Sequence, residues 1–236
     1  MITIAFDLDD TLYDRTQPLR QALLEIDEAK SLPFHKFLKV FQQNSDIAFE
    51  KVKDHIWTLE ESHIFRIRNT LHQLGIDISL SKAQNFQDQY KKNQQQIEPF
   101  PCILEILDFL QTKNIQTIII TNGPSTSQRN KINNLRLNKY FSPEQIIVSE
   151  EENIAKPDIG IFRLAESRFK LDRTKTWFIG DSYVNDIVGA ANAGWNTIWF
   201  NRNYKIKNKK TNLLKTKTVF SSLELKDYLF DMFKNQ

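Results

Sequence analysis

The chain has 236 residues, 40% of them apolar, with 32 Lys and Arg against 29 Asp and Glu for a net charge of +3. That apolar content can bury the core of one large domain or of a core with an insert, and the near balance of charge excludes a dedicated nucleic-acid binder. A single cysteine, Cys102, excludes an intrachain disulfide framework and a thiolate zinc cluster. No apolar run reaches the roughly 20 residues that span a bilayer, and Met1 leads into a strand without a cleavable prefix, so a cytoplasmic protein without membrane contact is expected.

The opening "ITIAF" is a short β-branched and aromatic run, and four similar runs follow: "TIIIT" (117–121), "IIVS" (146–149), "TWFIG" (176–180) and "TIWF" (197–200). Five strands are predicted. Between the later ones lie "CILEILDFLQTK", "STSQRNKINNLRL", "DIGIFRLAESRF" and "NDIVGAANAG", whose apolar residues recur at helical spacing. The alternation predicts an α/β fold with a doubly wound parallel sheet, in which ligands bind beyond the carboxyl ends of the strands. Asp7, "TNG" (121–123) and "GDS" (180–182) all fall at such ends.

Residues 15–97 break the alternation, and the predicted organisation is a core of 1–14 and 98–236 with an inserted helical cap between. Val52, Ile56, Leu59, Ile67, Leu71 and Leu74 step by helical intervals. "TLEE" (58–61) has the form of a capping box, Gly75 ends that helix, and "SKAQNFQDQYKKNQQQ" predicts another. The chain re-enters the core through "EPFP" (98–101), stiffened by two prolines. His35, His55, His63 and His72 all lie in the insert without metal-ligand spacing, which favours surface or packing roles; Arg66 and Arg68 either meet a substrate's polar end or serve packing and solvation. After Phe200 come Lys205, Lys207, Lys209, Lys210, Lys215 and Lys217, read as a solvated loop, and then "SSLELKDYLF" (221–230), a capped terminal helix.

"FDLDDTL" (6–12) places three carboxylates in four positions at the end of an apolar strand, which folding alone does not ask for. Asp7 and Asp9, Thr121 in "TNG", Lys156 in "AKPD", and Asp181 with Asp186 in "GDSYVND" form a set. Singly each has an ordinary explanation: an acidic turn, β-branched packing, a helix approach. Together, at three strand ends and one helix start, they predict a single site.

Through "DLDDTL", "TNG", "KPD" and "GDSYVNDIVGAANAG" the sequence resembles the haloacid dehalogenase-like superfamily, in the branch whose helical cap lies between the first and second motifs. The resemblance implies a Rossmann-like core and magnesium-dependent phosphoryl transfer, and the presence of Asp9 implies a phosphatase rather than a dehalogenase. A carboxylate nucleophile splits hydrolysis of a phosphate ester into two easier displacements, the role expected of Asp7. Asp9, two residues on and on the same side of an extended chain, is the expected general acid and base. Carboxylates and a phosphate dianion need a hard cation among them. By resemblance the Mg2+ ligands are Asp7, Asp181 and the backbone carbonyl of Asp9.

Lys156 and Thr121 are expected to hold phosphate oxygens, helped by backbone amides of Leu8, Asn122 and Gly123. Asp186 either orients Lys156 or holds a metal-bound water, and Asp10 is read as a turn residue. Inside the family "TNGPSTSQRNKI", "VSEEENIAKPD" and "GWNTIWFNR" resemble phosphatases of nucleoside monophosphates, with sugar phosphates and phosphoglycolate as competing substrates. A phosphomutase and a non-catalytic phosphate-sensing module are the alternatives. The expected partner is a small phosphorylated metabolite, and the expected assembly a monomer or weak homodimer.

Overall fold

The computed structural model describes residues 2–202 and 216–234. The chain forms two compact units, residues 1–15 with 97–236, and residues 16–96. The first element, β1 (Thr3–Phe6), is buried on both faces. The unit at 16–96 then contributes α1 (Gln17–Leu24), α2 (Phe34–Lys53), α3 (Leu59–Gln73) and α4 (Leu80–Gln94).

Within this unit α2 turns Phe37, Phe41, Asn44 and Ala48 inward, at the three- and four-residue spacing of one helical face. The Phe37 and Phe41 rings stack with centroids 5.4 Å apart, and Phe86 of α4 meets Phe41 edge-on. The Thr58 and Glu61 capping box forms as expected and starts α3. Val52 and Ile56, however, do not share a helix with Leu59: α2 ends at Lys53, and His55 takes a positive φ of 57° that no α-helix continues through. Ile56 and Leu59 are accordingly exposed. Neither α1 nor α2 carries a sequence signal as clear as the "TLEE" cap.

In the other unit β1 is joined by β2 (Gln116–Thr121), β3 (Ile146–Val148), β4 (Thr176–Gly180), β5 (Asn196–Phe200) and β6 (Thr216–Val219). They form one parallel sheet in the order β3-β2-β1-β4-β5-β6. Among the described residues six strands replace the five expected, because β6 is short, partly exposed and follows a basic run that reads as loop. Lys217 therefore sits on a strand, while Lys205, Lys207, Lys209, Lys210 and Lys215 lie outside the described residues.

The helices are α5 (Ile103–Thr112), α6 (Ser125–Asn134), the short α7 (Ser149–Glu152), α8 (Ile159–Phe169), the short α9 (Gly189–Asn192) and α10 (Ser222–Phe233). Side chains alternate across a strand, and the core divides accordingly. Ile4, Phe6, Ile119 and Ile179 face α5, α6 and α10, whereas Ala5, Ile118, Ile120 and Phe178 face α8 and α9. Both faces are covered, which is why these strands read as continuous apolar runs. Each fully buried large side chain adds about 1.5–3 kcal/mol of transfer free energy.

β1 lies between β2 and β4, so the chain progresses in opposite directions across the sheet from this point and leaves a crevice at its carboxyl edge. The segment expected to be one helix from Asn185 instead begins with a π-helical turn, Tyr183–Val188, before α9. That wider turn brings the Asp186 side chain back against Gly180, where an added Cβ would collide with the Asp186 Cβ, Cγ and carboxylate oxygen. Gly180→Ala should lower unfolding free energy by about 1–3 kcal/mol through this overpacking, read as the midpoint shift in a denaturant titration; an unchanged midpoint would show that the turn gives way.

Candidate active site

At the carboxyl ends of β1, β4 and β5 a cavity of about 410 Å³ is lined by Asp7, Asp9, Arg15, Asn122, Lys156, Asp181, Tyr183, Asp186 and Trp199, among others. Asp7 is the first residue past β1, and its N–H donates to the Ile179 carbonyl of β4 at 2.9 Å. Its position is thus set by the last rung of the sheet. Leu8 turns into the core, and Asp10 makes the turn at a positive φ of 59°. Asp10 is also a buried anchor: its carboxylate pairs with Arg15 Nε at 2.7 Å, and Arg202 approaches at 3.8 Å.

Lys156 is only 4% exposed. Its ammonium lies 2.6 Å from Asp7 Oδ1 and 2.7 Å from Asp186 Oδ1. The backbone of Lys156 is held by a single amide side chain, since Asn122 Nδ2 donates to its carbonyl at 2.8 Å and Asn122 Oδ1 accepts from its N–H at 2.9 Å. Asp186 is fixed by the Ser182 N–H, which donates to Oδ2 at 2.9 Å. The Asp181 carbonyl accepts from the Trp199 indole at 3.0 Å. Oxygen atoms of Asp7, Asp181 and Asp186 all lie within 4.8 Å of one another.

Burial pushes the Asp7 carboxyl up; Lys156 opposes this, Asp186 and Asp181 add to it, and the group titrates at about 8. Asp186 is raised for the same reason, with Lys156 again opposing. Lys156 is pulled down by its own burial but held above its ordinary range by Asp186 and Asp7. With all three carboxylates ionised, one buried ammonium among them leaves two negative charges, and the donors are all hard oxygen; both properties fit a small divalent cation, which would favour that ionised state. The residues that would hold it are Asp7, Asp181 and Asp186.

Asp9 faces other partners. Lys131 Nζ donates to both of its oxygens at 2.8 Å, Gln128 Nε2 donates to Oδ2 at 2.9 Å, and the Tyr13 hydroxyl donates to Oδ1. Burial pushes this carboxyl up, but Lys131, Tyr13 and Gln128 outweigh it and hold the group below its ordinary range. Two carboxyls two residues apart are thus shifted in opposite directions.

The structure brings Asp7, Asp9, Asn122, Lys156, Asp181 and Asp186 to one cavity, with Thr121 buried at the end of β2. Gly123, at φ 143°, departs from expectation: its N–H, expected to face phosphate, donates to Ser149 Oγ at 3.0 Å. Asn122 grips the Lys156 backbone with its side chain. Tyr13, Arg15, Gln128, Lys131 and Trp199 carry no distinguishing sequence signal, because each touches the site only through tertiary packing. In the helical unit Arg66 lies over the Phe41 ring at 5.5 Å, and Arg68 lines a surface cavity of about 710 Å³. Burial, then Arg66 and Lys91, push the His63 imidazole down to about 4; His72 meets Asp77 at 2.8 Å.

Comparison with known proteins decides the family. The model for haloacid dehalogenase-like hydrolases matches residues 4–200. The chain belongs to that family. It is a hydrolase, of the phosphoric monoester class that its phosphatase and nucleotidase relatives represent. It is 26% identical over 200 residues to the glyceraldehyde 3-phosphate phosphatase of Pyrococcus abyssi, covering 84% of this chain and 80% of that one. It is 33% identical over 132 residues to the pyrimidine 5'-nucleotidase YjjG of Escherichia coli, 56% of each. The fold is similar to that of the HAD-hydrolase YfnB of Bacillus subtilis, whose crystal form is bound to magnesium, with a TM-score of 0.65 at 23% identity over 97% of this chain and 98% of that one. No helix among the described residues is long and apolar enough to cross a membrane.

The raised pKa of Asp7 has a thermodynamic consequence. An unfolded aspartate titrates near about 3.9, so between there and about 8 the folded chain binds more protons than the unfolded one, and stability falls as pH rises. In chelator, the stability difference between Asp7→Asn and the unmutated chain should therefore move in the variant's favour as pH rises from 5 to 8, on top of a pH-independent cost for the lost Lys156 partner. Thermal melts of both across pH 5–8 check this; a difference between the two that does not change with pH would show that burial of the Asp7 charge is not penalised.

Proposed function

We propose that the chain is a magnesium-dependent phosphatase that hydrolyses nucleoside monophosphates through an aspartyl-phosphate on Asp7. The observation that carries this reading is the buried Lys156 ammonium between Asp7 and Asp186, beside Asp181, at the sheet's switch point. A nucleophilic carboxylate must be ionised, and Asp7 in this setting is not fully so at neutral pH. Mg2+ held by Asp7, Asp181 and Asp186, with the Asp9 backbone carbonyl, supplies the positive charge that favours the ionised carboxylate and offsets phosphate oxygens.

In the first step Asp7 Oδ attacks phosphorus and the P–O bond to the substrate alcohol breaks. Lys156 and the Thr121 hydroxyl face the phosphoryl oxygens, whose charge they stabilise. In the second step a water attacks the acyl-phosphate, its proton passes to Asp9, and phosphate leaves with Asp7 restored. Asp9 is held ionised by Lys131, the form that accepts this proton. Protonating the leaving alcohol requires the protonated form, so an ester with a poor leaving group depends on Asp9 more than an aryl ester does.

The nucleotidase relative supports the nucleoside monophosphate, and residues 16–96, which interrupt the core directly after the Asp7 loop, are proposed as the cap that selects it. Release of inorganic phosphate from a panel of nucleoside monophosphates, glyceraldehyde 3-phosphate and phosphoglycolate, with Mg2+ and with chelator, tests this. The highest kcat/KM should fall on a nucleoside monophosphate and disappear in chelator. A maximum on the triose phosphate would replace the substrate; transfer of the phosphoryl group to a second hydroxyl would make the chain a mutase; no turnover of any ester would overturn the phosphatase reading. Asp7→Asn should lower kcat by on the order of 10⁴–10⁶, as loss of a nucleophile does.

A further inference from the structure

The Gln128 side chain is 1% exposed, and its two ends have different partners. Its Oε1 accepts from Lys131 Nζ at 2.6 Å. Its Nε2 donates to Asp9 Oδ2 at 2.9 Å, to Thr121 Oγ1 at 2.6 Å and to the Asn122 carbonyl at 3.0 Å. Lys131 in turn donates to both Asp9 oxygens at 2.8 Å. The two residues stand three apart on α6, and so on one helical face.

The donor inventory makes this arrangement directional. An ammonium has three protons and no lone pair, so only the oxygen end of the Gln128 amide can face it. Lys131 at one end, and the acceptor-only Asn122 carbonyl and Asp9 carboxylate at the other, therefore fix which end of that amide faces Asp9 and Thr121. The NH2 end then meets Thr121 Oγ1 as a donor. A hydroxyl that accepts one bond keeps its own proton for another acceptor. With Lys131 across both Asp9 oxygens, the plane of that carboxylate is fixed as well. Two side chains on α6 thus tie together Asp9 and Thr121, which come from different strand ends.

We propose that Lys131 and Gln128 are positioning residues of the active site, which act through Asp9 and Thr121 by fixing the plane of the Asp9 carboxylate and the donor direction of the Thr121 hydroxyl before substrate arrives. This rests on the phosphatase reading, with Asp9 as the acid and base. Preorganisation of this kind shows in turnover rather than in ground-state binding, because a reacting group displaced by about 1 Å can cost on the order of 10² in rate.

The test is a double-mutant cycle of Lys131→Met and Asp9→Asn, with Lys131→Arg as the rescue, followed as kcat and KM on an aryl phosphate with Mg2+, where Asp9→Asn retains measurable turnover. Lys131→Met should lower kcat about 10- to 100-fold with KM within about threefold, and Lys131→Arg should recover most of the loss. In the Asp9→Asn background the same substitution should lower kcat by clearly less, since only the donor direction of Thr121 then remains to be lost. Thermal melts of the variants accompany the kinetics. A Lys131→Met rate within about twofold of the unmutated chain, or an equal loss in both backgrounds, would overturn the proposal and leave the phosphatase reading standing. Failure of the unmutated chain to release phosphate from any ester would instead remove the phosphatase reading itself.

Discussion

The ion pairs of Lys156 with Asp7 and Asp186 are the constraint on which the rest of the site depends. Burying a charge costs several kcal/mol per ion unless partners compensate it, and here three ionisable groups at most 7% exposed share one small volume. Neither carboxylate can be held ionised there without the lysine or another cation, and the ammonium needs at least one carboxylate beside it. Such a cluster contributes little net stability; what it does is fix positions, since any displacement exposes an uncompensated charge to apolar surroundings. The Asn122 clamp on the Lys156 backbone and the Ser182 N–H on Asp186 serve the same end.

The sheet explains why these groups can meet at all. Asp7, Thr121 and Asp181 follow or end three strands whose order places β1 between β2 and β4. Register then sets their height: Phe6 pairs with Ile119 on one side and Ile179 on the other, so the residues just past all three strands emerge at one edge. The π-helical turn after Ser182 is the local departure that returns Asp186 to the same edge, against a glycine that leaves it room. π-turns recur at functional sites because they redirect one side chain without ending the helix.

Strands buried on both faces were legible in the sequence as apolar runs, and so was the gathering of Asp7, Thr121, Lys156 and Asp181, because polar residues at the ends of apolar strands stand out against packing. The capping box at Thr58 was legible because its spacing is local. What was not legible depends on contacts across the chain. Gln128 and Lys131 reach Asp9 from 119 and 122 positions away, and on α6 they look like any solvated polar pair. β6 hid behind its partly exposed pattern, and the break between α2 and α3 behind a single residue, His55, with left-handed backbone.

Asp7 and Asp9 differ by two positions in sequence and yet respond to opposite fields. One lies among carboxylates and is raised to about 8; the other lies under an ammonium and is lowered. Environments that push paired carboxyls apart are how one fold assigns separate roles to the same side chain. In this chain the direction is the reverse of what the roles proposed for Asp7 and Asp9 need at neutral pH, since a nucleophile must lose its proton and an acid must hold one. A cation at the Asp7 cluster would correct the first, whereas the direct partner of the Asp9 carboxylate is the Lys131 ammonium of α6. The two carboxyls therefore take their fields from different elements, one from the strand ends that gather Asp7, Asp181 and Asp186, the other from the helix that carries Lys131.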